Sequence, residues 1–250
     1  MKNAIAKTCF GALLALTVSF PSLAQTISAD RPGFGDGTST VAPGRLQVEG
    51  GYAFSKAGAV EQQEIGQALI RVGLSSQVEV RIALNSYVIQ QEPGELEGTG
   101  DFGFGLKANL LDGSSRGLPN LAALASTTLP RPDAPFGSDV WSQTFKLAAD
   151  WSITESAAIS ANAGYATSDG LVSALHPLLT LSLGTTLPGT EVGAYAGYAR
   201  FDQEDGAEDW VEAGLTYLLG PSTQIDVNGA YRVDDNTDRF FVGAGIAQRF

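Results

Sequence analysis

Cysteine and methionine are nearly absent from this sequence of 250 residues, which holds one of each, Cys9 and Met1. Beyond that first stretch there can be no disulfide, no thiolate metal site and no cysteine nucleophile. Histidine occurs once, as His176. Basic residues are few, fifteen Lys and Arg against twenty-seven Asp and Glu, for a formal net charge of −12. That balance excludes nucleic-acid partners, which call for a basic face. No stretch after the first two dozen residues has eighteen consecutive apolar residues, so no transmembrane helix is predicted.

Residues 1–24 read as an export signal. Lys2 and Lys7 give the basic start, Phe10–Phe20 the apolar run, and Ser22-Leu23-Ala24 the small-residue cleavage site. The apolar run is shorter than the roughly 20 residues a helix needs to span a bilayer. The other reading, a first buried helix, leaves the cleavage site unexplained. With Lys2 and Lys7 removed, thirteen basic residues face twenty-seven acids, a formal charge of −14.

Thirty glycines and a mean hydropathy of +0.04 are unusual beside such acidity. Alternation in a membrane barrel reconciles them, because half of each strand faces lipid and half a polar lumen. The last stretch shows this most clearly. Ile225, Val227, Gly229, Tyr231 and Val233 share one face, opposite Gln224, Asp226, Asn228 and Arg232. After the acidic turn 234–238, Phe240, Val242, Ala244, Ile246, Gln248 and Phe250 share a face. A helix would scatter these sets, whereas a strand separates them.

The same period predicts twelve strands: 46–54, 65–73, 77–85, 100–110, 119–129, 140–151, 156–165, 176–186, 191–200, 210–219, 224–233 and 239–250. Each is near the 9–11 residues a tilted strand needs to cross a membrane. Trp141 and Trp151, ten residues apart, suit the two aromatic girdles of such a barrel. Short turns at 75–76, 152–155, 188–189 and 220–223, with 111–118 slightly longer, alternate with longer connections that hold sixteen of the twenty-seven acids. The expectation is an all-β chain forming a single antiparallel transmembrane β-barrel, with short periplasmic turns and longer extracellular loops. Its divisions are a signal peptide at 1–24, a periplasmic N-terminal lead at 25–44, and a barrel at 45–250. The lead has Pro32, Pro43 and four glycines with no strand period.

The closing Phe250 resembles the terminal residue of bacterial outer-membrane barrels, which implies an assembly signal read by the barrel-assembly machinery. More specifically, Asp30-Arg31-Pro32, Gly35-Asp36-Gly37-Thr38, Pro43–Tyr52 and Asp101–Lys107 resemble the outer-membrane transporter family named for the MetA pathway of phenol degradation. The Pro-rich Leu129–Gly137 is longer than that family's pattern. The resemblance implies passive passage of small molecules, aromatic or otherwise poorly permeant ones, across the outer membrane. The partners that follow are outer-membrane lipids, lipopolysaccharide and small-molecule solutes. No nucleotide motif accompanies it, so neither a cofactor nor energy coupling is expected. A structural or surface-interaction barrel is the alternative, and a lipid-acting enzyme a third reading.

The predicted inward faces carry Glu49, Arg71, Glu79, Arg81, Asp101, Lys107, Lys146, Asp150, Glu191, Glu212, Asp226 and Arg232. Arg or Lys facing lipid at mid-membrane costs about 2–4 kcal/mol, so these residues are assigned to the lumen. Two readings stay open: a lining that selects solutes, or charges that pair and plug a narrow barrel. Eight strands leave room only for side chains and sixteen leave a channel, with twelve between. No catalytic residue is assigned. His176 lacks the flanking nucleophile and orienting group of an activated serine site. No metal site is assigned either. Asp202, Glu204, Asp205, Glu208 and Asp209 lack the spaced ligands and central glycine of a calcium loop, and read as a solvated tip. Gly33–Gly37 is no phosphate loop, since no Lys-Ser/Thr follows it. The glycines within strands are assigned to barrel curvature.

Overall fold

Residues that alternate apolar with small or polar side chains become strands here because each face then meets one environment. The computed structural model describes residues 26–250 apart from 85, 92–93, 114–116, 168–174, 205 and 235–237. The assigned signal peptide therefore lies outside the described residues. The strands are β1 Leu46–Ala57, β2 Val60–Gly73, β3 Val78–Leu84, β4 Tyr87–Gln91, β5 Leu96–Thr99, β6 Phe102–Leu111 and β7 Asn120–Leu129. They continue with β8 Ser142–Ser152, β9 Ala157–Thr167, β10 Leu175–Thr186, β11 Val192–Gln203, β12 Gly206–Leu218, β13 Thr223–Arg232 and β14 Arg239–Arg249.

Neighbours pair antiparallel, and β1 pairs with both β2 and β14, which closes the sheet. The lower part of β2 pairs with β3 and its upper part with β4, so β3 and β4 occupy one position in the wall. By the same logic β5, paired to β4, continues β6, paired to β3. The fourteen strands thus make a closed barrel of twelve, the expected fold. There is no helix among the described residues.

The outer face is apolar. Phe104, Leu106, Phe145, Leu147, Leu181, Leu183, Leu215, Val227, Val242 and Ile246 are each exposed by more than two-fifths. Soluble proteins rarely leave a contiguous apolar patch above a few hundred Å², so a belt around the whole wall marks a lipid-facing surface. The interior is the reverse. The largest fully buried side chains are Arg71, Lys107, Gln47, Glu49, Glu79, Asn162 and Thr38, while the buried apolar cluster is only Ala122, Leu124 and Ala148.

Several connections differ from the sequence expectation. The stretch 55–64 is not a loop: β1 runs to Ala57, β2 starts at Val60, and Gly58 turns with φ +61°. Residues 86–99 contain β4 and β5, and 201–209 is mostly strand. These extensions stand beyond the apolar belt, where a strand needs no apolar face. Glu61-Gln62-Gln63-Glu64 accordingly shows no period, although it is strand held in part by a Lys56–Glu61 ion pair at 2.6 Å. The Pro-rich stretch folds back against the wall, its Arg131 and Ser138 amides donating to Asp101 Oδ1 at 2.9 and 3.0 Å.

Candidate functional site

Extended backbone without a strand partner must find acceptors for its amides, and residues 26–44 find them inside the barrel. Ile27 N donates to Pro221 O at the short-turn end. Asp30 and Arg31 amides donate to Glu49 at 3.1 Å, and Phe34 N to Glu212 Oε2 at 3.1 Å. The chain then crosses the lumen. Asp36 N donates to Asn162 Oδ1, Thr38 N and Oγ1 to Asp150 Oδ2, and Val41 N to Glu79 Oε2, each at 2.7 Å. It returns to the short-turn end, where Gly44 N meets Gly73 O at 2.9 Å. The segment read as a periplasmic lead is therefore a strap that rises into the barrel and descends again. Its lack of strand period carried no sign of this, because its partners are side chains of distant strands.

The strap also completes a buried charge cluster. Lys107 Nζ lies 2.7 Å from Asp30 Oδ2, and Arg81 donates to the same carboxylate. Arg71 reaches Glu49 at 2.9 Å and grips Glu79 with two bonds of 2.9 and 3.0 Å. Asp36 accepts from Arg81 at 2.9 Å and from Lys146. Four cations (Arg71, Arg81, Lys107, Lys146) thus meet four carboxylates (Asp30, Asp36, Glu49, Glu79). Two of those carboxylates belong to the strap, so the wall alone carries two excess cations. Burial pushes the Asp30 carboxyl up, but Lys107, Arg71 and Arg81 outweigh it and hold it well below the usual carboxylate range.

Space for the strap comes from glycine. Arg31, paired to Asp226 at 3.3 Å, lies so close to the wall that a Cβ on Gly51 or Gly245 would stand 2.6 or 2.3 Å from its guanidinium. These two strand glycines admit the Arg31 side chain, a close approach that the assignment to curvature does not include. Higher in the lumen, Phe34 packs against Phe201, Trp210 and Phe241 with centroids 5.3–5.9 Å apart.

Nine of the twelve residues assigned to the lumen touch the strap or its charge cluster: Glu49, Arg71, Glu79, Arg81, Lys107, Lys146, Asp150, Glu212 and Asp226. Three stand elsewhere. Asp101 anchors the Pro-rich stretch, Arg232 pairs with Glu208 and Asp234 at 2.8 Å near the loop end, and Glu191 is exposed in a short turn. Phe250 follows β14, its amide donating to Leu46 O. His176 lies on β10 opposite Ala166. Asp202 and Asp209 pair with Arg200, and Glu208 with Arg232 and Arg239. No group able to hold a metal ion occurs among the described residues.

Sequence reasoning did not assign Asp30, Arg31, Asp36 or Thr38 to the site, nor Tyr195 and Gln67 on the wall. Asp30-Arg31 and Asp36 stand in motifs noted for their resemblance. Three charged residues, Asp30, Arg31 and Asp36, inside an otherwise uncharged, non-periodic lead are the available signal.

None of the curated proteins matches the chain in sequence. Among solved structures it is similar to the COG4313 outer membrane channel from Pseudomonas putida F1 (TM-score 0.64, 13% identity, 88% of this chain and 100% of that one). It is also similar to the KdgM porin (TM-score 0.57, 9% identity, 82% and 99%). A third likeness is to the translocator domain of the autotransporter NalP from Neisseria meningitidis (TM-score 0.52, 12% identity, 82% and 88%). At these identities the likeness is one of fold, and one fold hosts many functions. A family model matches residues 29–250, nearly the whole described chain including the strap, and the chain belongs to the family described as "Putative MetA-pathway of phenol degradation".

Proposed function

We propose that this chain is an outer-membrane channel through which small molecules, aromatic or otherwise poorly permeant, pass without energy coupling. The observation that carries the reading is the lumen itself, which the strap narrows but leaves with cavities on both sides. One of about 390 Å³ opens at the short-turn end, and others of about 180 and 140 Å³ lie above the strap. Phe201, Trp210 and Phe241 give the upper lumen an aromatic wall, which suits flat apolar solutes. In this reading the short turns face the periplasm, the exposed belt meets outer-membrane lipid, and the acidic rim adjoins lipopolysaccharide. Residues 1–24 direct export, and Phe250 serves the barrel-assembly machinery.

One observation favours the alternative, a non-conducting structural or surface-interaction barrel. Buried ion pairs fix the strap on several strands at once, and buried pairs broken singly are costly. Liposome swelling with a panel of sugars, phenols and aromatic acids separates the two. Passage of the small aromatic solutes supports the channel, and no swelling with any solute supports the structural barrel.

A further inference from the structure

We propose that the contact between Gly33 and Tyr195 is the constriction of the passage, and that Tyr195 sets which solutes cross it. This rests on the channel reading above and gives it a place. The lower cavity is lined by Gly184, Thr186, Gly193, Tyr195 and Thr216, and reaches the β8–β9 turn at Thr154. The upper cavity is lined by Arg31, Gly33, Gln67, Asn228 and Phe241. Tyr195 borders the first and Gly33 the second. A Cβ built on Gly33 would stand 3.2 Å from the Tyr195 ring and hydroxyl and 3.1 Å from Glu212 Oε2. The linings of the two cavities therefore touch at Gly33 and Tyr195.

The strap is held unevenly around the barrel. Its ion pairs reach β13, β2, β3, β6 and β8, through Asp226, Arg71, Arg81, Lys107 and Lys146. Toward β9–β12 it is held by hydrogen bonds to Asn162 and Glu212. The side with the fewest charge contacts is the side that holds the 390 Å³ cavity. Gly33 has φ +108°, a conformation that disfavours any side chain, so the gap is bounded on the strap side by bare backbone. On the wall side Tyr195 lies across Gly214, where a Cβ would stand 2.4 Å from its ring.

The groups around the gap define a solute class. Glu212 and the Tyr195 hydroxyl, 3.4 Å apart, present oxygen acceptors, and Glu212 repels anions. Arg31 above is already paired to Asp226. The gap thus favours small neutral solutes bearing a hydrogen-bond donor over carboxylates of the same size.

The test is conductance of the refolded full chain in planar bilayers, with folding checked by heat-modifiable gel mobility. Tyr195→Ala should raise conductance several-fold, and Tyr195→Phe should change it less than twofold. Because Tyr195→Ala can perturb folding, Tyr195→Cys in a Cys9→Ser background supplies a second reading. A bulky thiol reagent should then cut its current by more than half. Wild-type conductance in Tyr195→Ala, or full current through labelled Tyr195→Cys, overturns the constriction and leaves the channel standing. If neither these variants nor Asp30→Asn/Asp36→Asn conduct, the channel reading falls and the constriction with it.

Discussion

Asp30 and Lys107, 77 residues apart, meet inside the barrel at 2.7 Å with side chains 7% and 0% exposed. A lysine on a membrane-spanning strand is thereby neutralised by a residue that belongs to no strand. The wall needs the strap for charge balance as much as the strap needs the wall for amide acceptors. This mutual requirement makes the N-terminal segment part of the fold.

Lys107→Met should destabilise the barrel by about 3–5 kcal/mol, the usual cost of stripping one partner from a buried pair. Leu106→Arg, on the neighbouring outward position, should cost about 2–4 kcal/mol for a different reason, a charge in lipid. A double-mutant cycle with Asp30→Asn tells them apart. Lys107→Met should couple to it by about 0.5–3 kcal/mol, whereas Leu106→Arg should add independently. Urea titrations of folding into vesicles read both, and equal coupling would mean that the register of β6 is misassigned.

The strap should stay docked in mild acid. The native Asp30 pKa is depressed below its unfolded value of about 3.9. A depressed carboxylate contributes stability that is present above the unfolded pKa and is lost as pH falls through the native one. Exchange protection of the Gly37 amide, which donates to Asp30 Oδ1 at 3.1 Å, should therefore hold from pH 7 to pH 4 once corrected for intrinsic rate. Loss of protection near pH 5 would contradict the charge assignment.

Neutralising the strap should change ion preference. Asp30→Asn/Asp36→Asn leaves Arg71, Arg81, Lys107 and Lys146 facing only Glu49 and Glu79, an excess of two cations beside the passage. Fixed charge in a confined entrance enriches counter-ions. The reversal potential under a salt gradient should shift toward anions relative to the parent, and less so at 1 M salt, where the Debye length is about 3 Å. A shift toward cations would contradict the cluster.

The barrel was legible in the sequence because lipid imposes a strict two-residue period on every crossing. Phe102, Phe104 and Leu106 against Lys107 show it without any partner strand in view. The period ends where the lipid ends, which is why the strand segments Glu61–Glu64 and Tyr87–Gln91 carry no strand signal in the sequence. The inward charges were legible too, from the cost of facing them outward. Their partners were not. Asp30 finds Lys107, and Asp36 finds Lys146, only once the wall has closed, and nothing local in Gly33–Thr38 encodes that meeting. The same holds for Gln67, whose φ of +41° accompanies a bulge that lets its amide accept from Arg31 at 3.2 Å.

The central claim is that residues 26–44 lie inside the barrel, and a disulfide tests it most directly. A Cβ on Gly35 would stand 3.9 Å from the Thr180 Cβ on β10, close to the 3.8 Å mean for disulfides. In a Cys9→Ser background, Gly35→Cys/Thr180→Cys should oxidise spontaneously on folding and show a reducible shift on non-reducing gels, while neither single variant does. If both cysteines of the folded barrel stay reduced and free to react with a thiol reagent, the strap is not where this account places it.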